Sequence, residues 1–220
     1  LLLDAEDWSG LVRLYGVQGE SEVEPAARAA LFRQAAEVAA TELGDPDSAI
    51  ELYSRTLEDD PEALPTTLRA MRDLLRSVSR WPDFLEVSSH IFEFEPDVQE
   101  RIEVLGDMAS VHAEYLDDLS AAASCFQKAL ALNAEHVPSL RGARHAYAAQ
   151  GEWSEVTELL LREIDAVSED AERGELLGEL GTIYLHELGD QEQAQVVFET
   201  ALSLVPGDER ITALLEQTRG

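Results

Sequence analysis

The chain has 220 residues, and its 45 acidic side chains against 16 basic ones give a formal charge of −29. A hydrophobic content of 45% suits a packed protein, one cysteine (Cys125) forms no internal disulfide, and no apolar run reaches the ~18–20 residues of a membrane-spanning helix. The charge argues against nucleic acid and anionic lipid as partners, because both repel a polyanion. Arg occurs fifteen times, Lys once and Asn once, a bias that suits a GC-rich genome or a salt-adapted organism, so part of the acidity reads as a trait of the organism.

In chain order, the opening LLLDAEDW has no Met, no basic region and no cleavage site. Residues 1–4 read as the tail of a helix cut from a longer chain. A repeat then dominates. Trp8, Trp81 and Trp153 stand 73 and 72 residues apart in the phrases DWSGLVRLY, RWPDFLEVS and EWSEVTELL. Leu43-Gly44-Asp45, Leu116-Asp117-Asp118 and Leu188-Gly189-Asp190 recur at the same spacing, as do Tyr53, Phe126 and Phe198, each four residues after an alanine. The chain is therefore read as a single repeat array of units 8–80, 81–152 and 153–220.

Each unit carries helical periodicity. Leu177, Leu180, Ile183, Tyr184 and Leu188 fall at i, i+3, i+4 spacing, Gly189-Asp190 supplies a stop and a new N-cap, and Ala194, Val197, Phe198, Ala201 and Leu202 form the next stripe. Pro61 and Pro206 read as helix ends. Residues 208–219 read as a last, narrow-striped helix with Ile211, Leu214 and Leu215. No segment alternates as a strand does, so about a dozen helices of roughly 12–19 residues are expected. Small residues (Ala36, Ala109, Gly181) let paired helices approach, and Tyr53, Phe126, Phe198, Trp81 and Trp153 are expected to fill the gaps between pairs.

The pattern Leu180-Gly181, Tyr184, Ala194, Phe198, Ala201, Pro206 resembles the tetratricopeptide repeat, with looser copies at Met108-Ala109, His112, Ala122, Phe126, Ala129 and at Ala35-Ala36, Ala39, Ala49, Tyr53, Pro61. Between them lie pairs of another flavour: Leu68, Met71, Leu75, Trp81, Phe84 and Leu140, Ala143, Tyr147, Trp153, Val156. The resemblance implies an all-α right-handed α-solenoid of stacked antiparallel helix pairs, in a longer-than-usual alternating variant within a bacterial multi-repeat array.

Little points to catalysis. The sequence has no HExxH, P-loop, GxSxG or GxGxxG, and its five histidines do not pair at i, i+4. Cys125 reads as a buried inert thiol and His112 as a packing residue. Acidic pairs such as Asp59-Asp60 and Asp117-Asp118 read as helix-end capping. The chain is expected to be no enzyme, with no cofactor and no metal.

Charge is unevenly spread. Residues 81–120 hold eleven acids and one Arg, and residues 151–200 fourteen acids and two Arg, whereas 61–80 and 121–150 are each net +2. In the family resembled, the first helix of each pair lines the concave face. Counting from the motif residue puts Arg33, Glu37, Arg69, Asp73, Arg76, Arg141 and His145 there, with Gly106, Ser110, Glu114, Gly178, Thr182 and His186. Two readings stand for the arginines: forks that dock acidic side chains or a C-terminal carboxylate, or plain i, i+4 pairing in Arg33–Glu37 and Arg69–Asp73. The resemblance thus implies a cytoplasmic protein- or peptide-binding scaffold. The alternative is a receptor for a short peptide or a small GTPase-like partner, switched by curvature.

Overall fold

The computed structural model describes residues 7–59 and 64–219. Pro61, Asp60 and the helix tail read at residues 1–4 lie outside the described residues. Twelve α-helices follow one another among those described, with no strand: α1 (Trp8–Ser21), α2 (Pro25–Val38), α3 (Pro46–Asp59), α4 (Leu64–Ser77), α5 (Trp81–Phe94), α6 (Val98–Glu114), α7 (Leu119–Leu132), α8 (Val137–Gln150), α9 (Trp153–Ala166), α10 (Asp170–His186), α11 (Gln191–Leu204) and α12 (Glu209–Gln217). A π-helical turn, Ala39–Leu43, extends α2. The chain divides into two compact units between Val104 and Leu105. In the first unit each helix from α1 to α5 packs on the next, and in the second each from α7 to α12 does so. Short connections make neighbours antiparallel, so each unit is a stack of helix pairs, the all-α solenoid arrangement.

The repeated Leu-Gly/Asp-Asp tripeptide has a backbone cause. Gly44, Asp117 and Gly189 adopt φ of 60°, 53° and 66°, the left-handed conformation that ends a helix. The next residue's N–H then closes a wide turn: Asp45 to the Ala39 carbonyl (2.9 Å), Asp118 to His112 (2.8 Å) and Asp190 to Tyr184 (2.7 Å). Each aspartate also caps the following helix, its carboxylate accepting from the N–H of Ser48 (3.2 Å), Ala121 (2.9 Å) or Gln193 (3.0 Å). For Asp45, the Ser48 hydroxyl and N–H hold the carboxyl below its usual range. Ser79 and Gly151 make a second left-handed pair, just before Trp81 and Trp153 open α5 and α9. One tripeptide thus turns the chain and restarts it.

The small alanines are fully buried, among them Ala36, Ala49, Ala109, Ala122 and Ala194. Tyr53 and Phe198 are buried as expected, but Phe126 is only half-buried. The reason lies under the rings. A side chain built at Gly181 would stand 2.5 Å from Phe198 Cε1, so Phe198 sits directly on Gly181 of the helix before it. At the matching place, 72 residues earlier, stands Ala109, whose Cβ denies that seat. Phe126 lies instead across Gly142 of the following helix.

Candidate functional site

The second unit holds an open cleft of about 770 Å³. Its floor begins with α9, whose buried stripe runs Val156, Leu159, Leu160, Glu163 and Ile164. Glu163 thus occupies a core position, and its side chain is 0% exposed. A carboxylate without water needs charged donors. Two arginines of α8 meet it: Arg141 Nε donates a hydrogen bond at 2.6 Å, and Arg144 Nε forms an ion pair at 3.3 Å without hydrogen-bond geometry. Each arginine then reaches outward to α10, Arg141 to Glu172 at 2.5 Å and Arg144 to Glu179. The result is an alternating chain, Glu172–Arg141–Glu163–Arg144–Glu179, that ties three helices together. The Arg141 pKa is raised above its ordinary value, first by the hydrogen bond to Glu163 and then by that to Glu172. Across the whole cleft, three arginines face five carboxylates, beside Leu176 and Thr182.

The first unit carries the same arginine pair. Arg69 and Arg72 stand 72 residues before Arg141 and Arg144, but Ile91 occupies the place of Glu163 and is buried in apolar contact. The carboxylate comes one helical turn later, from Glu95 just beyond α5, whose side chain is 8% exposed and bonds Arg69. Arg69 is therefore met across helices, while Asp73, its expected i, i+4 partner, is exposed and lies 3.8 Å from Arg72. Arg33 and Glu37 do approach at i, i+4, at 4.0 Å with both side chains largely exposed. The exposed Arg76 holds its guanidinium 5.1 Å above the Phe84 ring.

In the second unit His145, Ser110 and Glu114 are exposed and border a smaller hollow over Phe126. His186 is exposed, and Thr182 lines the large cleft. Gly178 departs from expectation. It is buried, and a side chain built on it would stand 3.1 Å from Ile211 of α12, which therefore covers it. Glu163, Glu172, Glu179 and Arg144 were not singled out from the sequence. The signal was a carboxylate set within an otherwise apolar stripe, three residues after Leu160.

Cys125 is buried, and burial pushes its thiol up from its ordinary pKa. Among the described residues no group of three or more His, Cys, Asp or Glu side chains is placed to hold a metal ion, and no helix is long and apolar enough to cross a membrane.

Residues 174–208 match the tetratricopeptide repeat family. No curated protein sequence matches the chain. Among solved structures, MamA is 21% identical, with a TM-score of 0.50 over 80% of this chain and 91% of that one. YrrB, described as a TPR protein with an unusual peptide-binding site, is 14% identical, with a TM-score of 0.50 over 92% of this chain and 97% of that one. At such identities the likeness is one of fold. The chain is a multi-repeat helical array that carries a tetratricopeptide repeat at residues 174–208.

Proposed function

We propose that the chain is a protein- or peptide-binding scaffold that presents the first-helix faces of its pairs to a partner. The observation that carries this reading is the cleft along α8, α10 and α12: it is open, polar, and bordered by charged groups held in fixed positions. YrrB supports it as a similar fold that has a peptide-binding site.

The partner carries acidic side chains or a free C-terminal carboxylate, for which the first unit offers Arg33, Arg69 and Arg76 beside Glu37 and Asp73, and the second unit Arg141 beside His145. Two kinds of arginine are on offer. Arg33 and Arg76 are exposed, and Arg33 has only a solvent-facing glutamate to give up. Arg141 can exchange its exposed partner Glu172 for a ligand carboxylate while Glu163 holds it from behind. Exposed pairs contribute little, so the exchange costs little. Arg69 is bound to the nearly buried Glu95 and has less to give.

The test is calorimetry with a partner captured on the intact chain. Arg33→Ala with Arg76→Ala should weaken binding at least tenfold, whereas Arg162→Ala with Arg173→Ala should change it less than twofold. Circular dichroism on both double variants separates a loss of binding from a loss of fold. Because a charge of −29 repels an anionic segment at long range, moderate salt should speed association. Equal losses from both pairs, or none from either, would overturn the assignment of these arginines.

A further inference from the structure

The hollow over Phe126 lies between α6, α7 and α8 in the second unit. It measures about 210 Å³ and is lined by Ser110, Ala113, Phe126, Gly142 and Ala146, with Glu114 and His145 at its edge. The copies differ at the place of Gly142. At the place of Gly142, the third copy has Leu214, which packs against the core cluster holding Phe198. The first copy has Ala70, which packs against the cluster holding Tyr53. In the second copy the side chain is missing altogether, and the part-buried Phe126 ring fills its place. Ala113 and Ala146 are too short to cover it. An aromatic floor with alanine walls has the shape and chemistry to receive one aliphatic side chain.

The charge around the hollow selects what comes with that side chain. Residues 105–120 hold Asp107, Glu114, Asp117 and Asp118 and no Lys or Arg. The nearest arginines on α8, Arg141 and Arg144, already carry carboxylates from Glu163, Glu172 and Glu179. The second unit as a whole has 22 acidic and 7 basic residues. A segment docking here meets a negative edge, with the exposed Glu114 foremost.

We propose that this hollow is a docking point for a partner segment that inserts one aliphatic side chain, of Leu, Ile, Val or Met size, against Phe126 and sets an adjacent Lys or Arg against Glu114. The inference rests on the scaffold reading and adds a second contact to it: besides the carboxylates that meet the arginines, the partner carries an aliphatic residue with a neighbouring cation. Apolar burial on the ring supplies affinity, and the cation supplies choice among segments.

The experiment pans a phage-displayed library of random heptapeptides on the intact chain, then on two variants. Ser110→Trp starts from an exposed position on α6 and fills the hollow from its edge; circular dichroism verifies that the helices are intact. Glu114→Gln removes the edge charge. Enriched peptides should share an aliphatic residue beside Lys or Arg. A synthetic copy of the best of them should lose at least tenfold in affinity on Ser110→Trp and severalfold on Glu114→Gln. It should also shift the methyl resonances of Ala113 and Ala146 on binding. Peptides that bind Ser110→Trp as well as the parent, or lack the aliphatic residue, would overturn the proposal. If those same peptides are lost on Arg33→Ala with Arg76→Ala, the hollow fails and the scaffold reading stands. If no peptide is enriched on any form, both fail together.

Discussion

The second and third copies place phenylalanine at the same step of the repeat and seat it in opposite directions. Phe198 sits back on Gly181 and is fully buried, whereas Phe126, facing Ala109, leans forward onto Gly142 and stays half-open. One methyl group at the earlier position and one absent side chain at the later one make the difference. The turns in these two copies, by contrast, match in their bonding, with a left-handed residue at the same place (Asp117 or Gly189), the same closure and the same aspartate cap. Positions that set the backbone path recur, while positions where a side chain chooses between neighbours diverge.

The arginine pairs teach the same lesson. Arg69/Arg72 and Arg141/Arg144 recur at 72 residues, yet their carboxylate partner moves by one helical turn, from the helix end at Glu95 to the core at Glu163. The outer end is tied down differently, to Asp73 beside Arg72 in one copy and to two glutamates of the next helix in the other. The divergence falls on the first-helix faces, where partners are expected to bind.

The largest expected effect sets the two phenylalanines against each other. Phe198→Ala should cost roughly 3–5 kcal/mol in urea denaturation, the range for a fully buried ring, and Phe126→Ala less, because its ring is part-exposed. Equal costs would erase the distinction. Next comes the buried carboxylate. Glu163→Ala leaves Arg144, whose side chain is only 9% exposed, without its inner partner. It should cost about 3 kcal/mol, the low end for breaking a buried pair, while Glu172→Gln should stay within about 0.5 kcal/mol. Gly181→Ala pushes a methyl into the Phe198 ring, and roughly 1–3 kcal/mol of overpacking should appear as a lowered urea midpoint. The smallest effect sharpens the comparison from the other side. Asp118→Ala and Asp190→Ala should each cost about 1 kcal/mol, and by the same amount, because their caps are alike.

Much of this was legible in the sequence. The helices, the stop-and-restart at Gly44-Asp45, Asp117-Asp118 and Gly189-Asp190, and the buried alanines follow from spacing and from residue types with few conformational options. The ion chain was not, because its bonded members come from three helices and lie 19 to 35 residues apart, and periodicity says which face a residue takes but not which neighbour it meets. Arg69 illustrates this: Asp73 was within reach along the helix, yet Glu95, fixed at the end of α5, is better sheltered and holds it. Gly178 sat at a concave position by count, but the last helix closes over it through Ile211. Phe126 matched its counterparts in type and place, and only the identities of Ala109 and Gly142, read together, foretell its different seat.

Ring exposure is the most direct test of that divergence. The protein labelled with 4-fluorophenylalanine gives one fluorine signal for each of its six phenylalanines, assigned by single Phe→Leu changes. A soluble nitroxide should then broaden the Phe126 signal strongly and leave the Phe198 signal sharp. Equal broadening of the two, or a sharp Phe126 signal, would contradict a ring that stays part-exposed where Phe198 is buried.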